Sequence, residues 1–149
     1  MFVPDQDYAI EFHQADRKFF GIILKGQMAN FGQDFSQAAQ FFGQAAHEVM
    51  PYGHGTAMLM ATLLKIHANE DAENYEAALE GVDVADKMMN LTGWGDCAAY
   101  LNIIRGRIHQ FKGDPVAAKD AYEKAADAFF DLGDLDQASI VRSVIADTK

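Results

Sequence analysis

Apolar and polar residues follow one another along this chain with the spacing of amphipathic helices, and the pattern recurs every 40 residues. One motif carries the period: alanine, three residues, a large apolar residue, two residues and a second alanine. Other positions keep the same step, among them Phe20, Met60 and Tyr100. A fixed period of this length is typical of repeat architectures, in which neighbouring copies bury each other's apolar faces. The three copies of the motif are Ala38, Phe42, Ala45; Ala78, Val82, Ala85; and Ala118, Tyr122, Ala125.

Each repeat is predicted to form two helices. In the third copy, Leu101, Ile104 and Ile108 recur at helical spacing, and a second helix then begins at a capping Asp114 followed by Pro115. We place the repeats at residues 15–54, 55–94 and 95–134, with a first helix that starts near Asp5 and a closing helix over 135–148. Predicted caps are Asp34, Asp71 or Asn74, Asp96, Asp114 and Asp134, and predicted left-handed helix ends are Gly53, Gly93 and Gly133.

The segment "GDPVAAKDAYEKAADAFFDLGD" at residues 113–134 resembles the turn and second helix of a tetratricopeptide repeat, with Ala118, Tyr122 and Ala125 at the family's signature positions. The resemblance implies an all-α, tetratricopeptide-like α-solenoid of about seven antiparallel helices, namely three hairpins and a closing helix, in one domain over residues 1–149. It also implies a concave groove, lined mainly by the first helix of each pair, that holds a peptide or a helix of a partner protein. Val82, in place of the aromatic residue, departs from the family pattern.

A basic residue follows an apolar pair at the same position of every repeat, in the column Lys25, Lys65 and Arg105. Around Arg105, a helix places three more polar residues on the same flank. One interpretation is a donor-rich strip that binds the carboxylates of an acidic partner segment. The other is that these side chains lay their stems along the edge of the core and keep their charges in water. The predicted partner-binding residues are Lys25, Lys65, Asn102, Arg105, His109 and Lys112.

The first helix carries two apolar faces. Leu24, Met28 and Phe31 are expected on the core face that the repeats share, whereas a heptad-like row falls on nearly the opposite side. Either that row packs beneath the following helix of the same chain, or it is an interface for a second copy or another protein. The predicted interface residues of the row are Tyr8, Phe12, Phe19 and Ile22, and Ala15 lies among them.

Charge and composition narrow the partner and the compartment. Acidic residues outnumber basic ones by 22 to 12, and the net charge of −10 argues against nucleic acid or an anionic membrane as the partner. The first residues lack the pattern of a signal peptide, and no stretch approaches the ~20 apolar residues of a membrane span. We therefore expect a cytoplasmic protein. The single cysteine, Cys97, excludes an internal disulfide.

Motifs for chemistry are weak in this sequence. The stretch "GWGDCA" at residues 93–98 follows a predicted helix, whereas a dinucleotide-binding motif requires a strand there. His47 and His54, which flank Glu48, lack the spacing of a metal motif. We therefore expect no enzymatic activity, no cofactor and no metal, and a protein-binding adaptor or chaperone instead. The alternatives are a homodimer scaffold built through the first helix, and a small-molecule or metal-dependent enzyme with a pocket between helices.

Overall fold

The computed structural model describes the backbone of residues 6–92 and 98–148 and the side chains of residues 14–91 and 98–148. These residues form seven α-helices and one short 3₁₀ turn, Met50–Tyr52, and include no β-strand. The expected all-α fold with seven helices is therefore confirmed for the described part of the chain. The helices are α1 (Gln6–Phe31), α2 (Phe35–Val49), α3 (Gly55–Asp71), α4 (Tyr75–Thr92), α5 (Ala98–Phe111), α6 (Pro115–Asp131) and α7 (Leu135–Asp147).

The turn between the two helices of a repeat has the same backbone geometry in all three repeats. Its central residue has a left-handed φ, which is +62° at Gln33, +59° at Glu73 and +80° at Gly113. In each turn, the N–H of that residue donates to the carbonyl three residues earlier, and the next N–H donates to the carbonyl five residues earlier, at 2.8 to 3.0 Å. This Schellman arrangement satisfies the last carbonyls of the first helix. The sequence period is therefore also a period of the backbone.

Side-chain caps begin several helices where the sequence predicted them. A carboxylate oxygen of Asp34, Asp114 and Asp134 accepts the backbone N–H three residues further on, at 3.1 to 3.3 Å. The left-handed Gly53 and Gly133 are also confirmed. Each cap satisfies an N–H that the first turn of a helix leaves without a partner, which contributes about 1 kcal/mol.

Two helix starts differ from the expectation or extend it. Since α4 begins at Tyr75 and Asp71 is the last residue of α3, the position before α4 belongs to Asn74 rather than Asp71. The start of α3 has a cap that the sequence pattern does not predict, because Nδ1 of His54 accepts the Ala57 N–H at 3.3 Å. The predicted Gly93 and Asp96 lie outside the described residues.

The chain divides into two compact units, Met1–Asn74 and Tyr75–Lys149, with the boundary between the two helices of the second repeat. In the first unit α2 packs against both α1 and α3, around a core that contains Phe42. In the second unit α4 packs against α5, α5 against α6, and α6 against α7, with Tyr122 and Phe129 in the core. Each unit thus buries its apolar residues between helices that are consecutive in the chain. One domain over residues 1–149 stays a prediction.

A glycine and an aromatic ring set the closest approach in one hairpin of each unit. A β-carbon on Gly26 would lie 2.5 Å from Cε1 of Phe42, and one on Gly106 would lie 2.5 Å from Cε1 of Tyr122. No real side chain tolerates that distance. Glycine therefore lets the ring of α2 or α6 lie directly on the backbone of α1 or α5. This explains the helix-weakening glycine at the same position of both repeats.

The first helix buries the face opposite to the one expected. Phe19 and Ile23 are buried in the core that α1 shares with α2. Leu24, Met28 and Phe31, which were expected on the core face, are instead 64%, 74% and 94% exposed. Apolar periodicity identified two apolar faces on α1 but did not reveal which of them α2 covers.

Candidate functional site

Arg105, the centre of the predicted donor strip, is engaged by carboxylates of its own chain. Its Nη2 lies 3.0 Å from Oδ1 of Asp83 and 3.5 Å from Oδ2 of Asp86, both on α4. Its Nη1 donates to Oδ1 of Asn102 at 3.2 Å. The arginine side chain is 22% exposed, so its charge is held at the edge of the α4–α5 contact.

The C-terminal end of the same strip also faces α4. Lys112 donates to Glu76, and this bond together with the charge of Lys112 lowers the pKa of the Glu76 carboxyl below its usual value. His109 lies one helical turn before Lys112, and its Nδ1 is buried without a hydrogen-bond partner among the described residues. Four predicted binding residues, Asn102, Arg105, His109 and Lys112, therefore lie along one intramolecular contact.

A spacing in the sequence explains this pairing. Arg105 and Lys112 are seven residues apart, and so are Glu76 and Asp83. Two antiparallel helices bring both pairs together at once, because seven residues complete nearly two turns. The signal was present in the sequence, although only the contact between α4 and α5 identifies these carboxylates as the partners.

The other two members of the basic column have a different environment. Lys25 and Lys65 lie in the first unit, both are exposed, and neither forms an ion pair among the described residues. The stem of Lys65 passes over Gly43 of α2, where a β-carbon would be 3.7 Å from its Cδ and Cε. The repeat therefore preserves a basic residue whose neighbours differ between the two units.

The predicted first-helix interface is only partly described. Phe19 is buried, and Ile22 is half-buried against the same core, as the self-packing alternative proposed. The side chains of Tyr8 and Phe12 lie outside the described residues. Phe19 is therefore a core residue, whereas the exposed Leu24, Met28 and Phe31 lie on nearly the opposite side of α1.

One apolar position stays exposed in the first helix of every repeat and in the closing helix. Phe20 is 54% exposed, Met60 41%, Tyr100 53% and Ile140 56%. These residues follow one another at steps of 40, and we name them the exposed column. The sequence period identified its first three members as a column, yet their exposure follows only from how the helices pack. Two members lie in each unit.

Each unit has an open depression between helices of the described chain. In the first unit, a depression of about 590 Å³ is lined by the ion pair Lys18–Glu48 and by Arg17, Ala15, Gln14 and Tyr52. In the second unit, a depression of about 400 Å³ lies between α6 and α7 beside Asp127 and Arg142. Histidine lines neither of them, and His54 serves as a helix cap. Cys97 lies outside the described residues.

No three His, Cys, Asp or Glu side chains within 14–91 and 98–148 are grouped so that they would hold a metal ion. No helix over the described residues 6–92 and 98–148 combines the length and the apolar character of a membrane span.

No protein-family model and no curated protein matches the chain. The 40-residue period and the packing of consecutive helices within each unit define the chain as an all-α helical repeat protein.

Proposed function

We propose that this chain is a tetratricopeptide-like protein-binding module, an adaptor or chaperone that holds an apolar segment of another protein and performs no chemistry. The observation that carries the proposal is the exposed column, Phe20, Met60, Tyr100 and Ile140. Exposed single apolar residues are ordinary on protein surfaces. Exposure that the repeat reproduces on two helices of each unit is not accounted for by chance, whereas an apolar binding surface in each unit requires it.

The first unit offers the simplest version of this surface. Phe20 on α1 and Met60 on α3 occupy the same repeat position, and both helices pack against α2. The ring of Phe20 is held edge-on by Phe19, with centroids 5.4 Å apart, so an exposed aromatic is supported by a buried one. A rigid aromatic and a flexible methionine are side chains that commonly anchor a bound peptide.

The second unit repeats the arrangement with Tyr100 on α5 and Ile140 on α7. The ring of Tyr100 packs edge-on against the buried Phe129, with centroids 5.1 Å apart. In both units an exposed aromatic of the column is therefore positioned by a core phenylalanine. The bound segment proposed here is apolar, with basic or neutral flanks that suit a chain of net charge −10.

Selection from a displayed random peptide library on the immobilised chain tests the proposal. We expect enriched apolar peptides that bind in fluorescence anisotropy, and whose affinity falls at least ~30-fold in the variant Phe20→Glu/Met60→Glu, the loss typical of hot-spot residues. Both side chains are exposed, so the variant is expected to fold. The matched control is Met50→Glu, which charges an apolar side chain of the same unit, 47% exposed, outside the column.

Two results would contradict the proposal. One is a selection that enriches no peptide. The other is an equal loss of affinity in the Met50→Glu control, since binding would then follow the net charge of the unit rather than the column. The variant Lys25→Glu/Lys65→Glu separately tests the predicted cationic strip, and weaker binding of acidic peptides to this variant alone would support it.

A further inference from the structure

Leu24 and Met28 lie on one face of α1. In the first helices of the later repeats, the residues at the equivalent positions pack against the preceding helix. In α3 the equivalent residues are Leu64 and Ala68, and both belong to the core that α3 shares with α2. In α1, by contrast, Leu24 is 64% exposed and Met28 is 74% exposed. The outer face of α1 is therefore a helix-packing surface that no described helix occupies.

The same comparison holds in the second unit. The equivalent residues of α5 are Ile104 and Ile108, which are 9% and 0% exposed. Around α5 they lie between Phe111, whose ring stacks on Tyr75 of α4 with centroids 6.1 Å apart, and Arg105, which pairs with α4. They therefore lie on the side of α5 that faces α4. Helix packing at this position is a property of the repeat, and α1 retains the apolar residues for it.

A heptad seam runs along this outer face. Arg17, Gly21, Leu24, Met28 and Phe31 follow one another at steps of four, three, four and three residues, the spacing by which two helices pack over several turns. Phe31 is 94% exposed and ends the seam at the last residue of α1. We name these five residues the α1 seam.

Gly21 provides a second indication that another helix packs against the α1 seam. A β-carbon there would meet nothing within 4 Å, in contrast to the glycine five residues later, which lies under a ring of α2. A glycine inside a helix weakens it. No packing within the described chain explains this one. A bulky side chain from outside that lies directly on the α1 backbone would explain it.

We propose that the occupant is the α1 seam of a second copy of this chain, in an antiparallel pair. The register that brings all the apolar seam residues together sets Leu24 against the partner's Met28 and Phe31 against the partner's Gly21. A large ring then meets the position that lacks a side chain, and two-fold symmetry repeats both contacts. The self-complementary pattern of sizes, large against absent and medium against medium, selects a second copy over an unrelated helix.

Charges at the two ends of the seam agree with this register. Arg17 is exposed at the N-terminal end, and Asp34 is exposed just beyond the C-terminal end. In the antiparallel register, Arg17 arrives beside the partner's Asp34. A parallel pair would instead set Arg17 against the partner's Arg17. The geometry therefore favours the antiparallel pair on charge as well as on size.

Sedimentation equilibrium of the full chain at rising concentration tests the proposal. We expect a reversible dimer, a dissociation constant at least ~10-fold weaker for Met28→Glu, and an unchanged constant for Leu91→Glu, which charges an 88% exposed leucine of α4. A wild-type chain that stays monomeric at every concentration overturns the proposal. So does equal weakening by the two variants.

Gly21→Leu separates a dimer contact from a structural role. Leucine at this position strengthens the helix and fills the space that the partner's Phe31 requires. We therefore expect a higher Tm at dilution, where the chain is monomeric, together with a dimer at least ~10-fold weaker. A dimer of unchanged affinity overturns the proposed contact.

Disulfide trapping tests the register. In a Cys97→Ser background, a chain with Leu24→Cys mixed with a chain with Met28→Cys should give mainly the mixed disulfide dimer under oxidation. Equal or greater yields of the two self-linked dimers would overturn the antiparallel register. The inference does not depend on the peptide-binding proposal, since Met28→Glu should leave the affinity for a selected peptide within about twofold while it disrupts the dimer.

Discussion

The α1–α2 hairpin of the first unit and the α5–α6 hairpin of the second are copies of one repeat, and the same glycine–aromatic contact joins their helices. The rings differ by one hydroxyl. In the second unit the hydroxyl of Tyr122 donates to Oε1 of Gln110 at 2.6 Å. In the first unit the equivalents are Phe42 and Asn30, and Oδ1 of Asn30 is buried without a hydrogen-bond partner among the described residues.

The basic residue before the shared glycine shows a second difference. Arg105 is paired with two carboxylates of the preceding helix, whereas Lys25 is exposed and has no ion pair in the described chain. The apolar contact is therefore common to both hairpins, but each unit satisfies the polar groups around it in its own way. The repeat preserves the packing of glycine against an aromatic ring, whereas the hydrogen-bond and ion-pair partners differ between the two units.

The largest expected effect concerns the contact that the two hairpins share. Gly26→Ala and Gly106→Ala each place a methyl group 2.5 Å from a buried ring, so either the ring or the helix must shift. We expect each variant to lower the free energy of unfolding by about 1 to 3 kcal/mol, the usual cost of overpacking. Urea titration monitored by circular dichroism measures this change.

Gly21→Ala is the matched control, since it makes the same substitution in α1 where a β-carbon meets nothing within 4 Å. Measured at dilution, it should raise stability by about 0.5 to 1 kcal/mol, because alanine is the better helix former. If Gly26→Ala behaved like this control, the close contact with Phe42 would be refuted.

The next effect exchanges the hydroxyl between the hairpins. Tyr122→Phe removes the bond to Gln110 and should lower the free energy of unfolding by about 0.5 to 1.5 kcal/mol. Phe42→Tyr supplies a donor at the equivalent position, where Oδ1 of Asn30 lacks a partner, and should be stabilising by a similar amount. A destabilising Phe42→Tyr would show that the first hairpin cannot accommodate the ring hydroxyl that the second hairpin contains.

The same hydroxyl makes one unit sensitive to alkaline pH. Burial raises the pKa of Tyr122 above its usual value of about 10, so the folded chain retains the proton that the unfolded chain loses first. This contribution to stability is present below pH ~10 and is lost as pH rises through the raised pKa. Unfolding free energies measured on both sides of pH ~10 should fall more for the wild type than for Tyr122→Phe, and parallel curves would contradict this.

The smallest effect tests the basic column. Arg105→Met leaves Asp83 and Asp86 without their counter-charge and should cost about 1 kcal/mol, a cost that added salt reduces. Lys25→Met removes an exposed charge without an ion pair and should change stability by less than about 0.5 kcal/mol. Equal effects in thermal unfolding would mean that the ion pairs with α4 contribute nothing.

Most of the fold was predictable because it depends on local and periodic features. The 40-residue step identified the repeats, and Asp114 with Pro115 identified the start of α6. The glycines at 26 and 106 occupy the same repeat position, and the structure shows an aromatic ring packed on each of them. Caps, turns and amphipathic spacing act over a few residues, so the sequence of a segment suffices to predict them.

The candidate surfaces were less predictable, because they depend on which neighbour covers each face. Periodicity shows that α1 has two apolar faces, but only the packing of α2 buries Phe19 and leaves Met28 exposed. Likewise, the sequence is compatible with Arg105 binding the carboxylates of a partner, and only the position of α4 shows that Asp83 of the same chain pairs with it. The sequence by itself determined the helices, most of their caps and the repeat that relates them. Tertiary structure decided which apolar and charged groups are used within the chain and which are left for a partner, because burial is a property of pairs of helices and not of one helix alone.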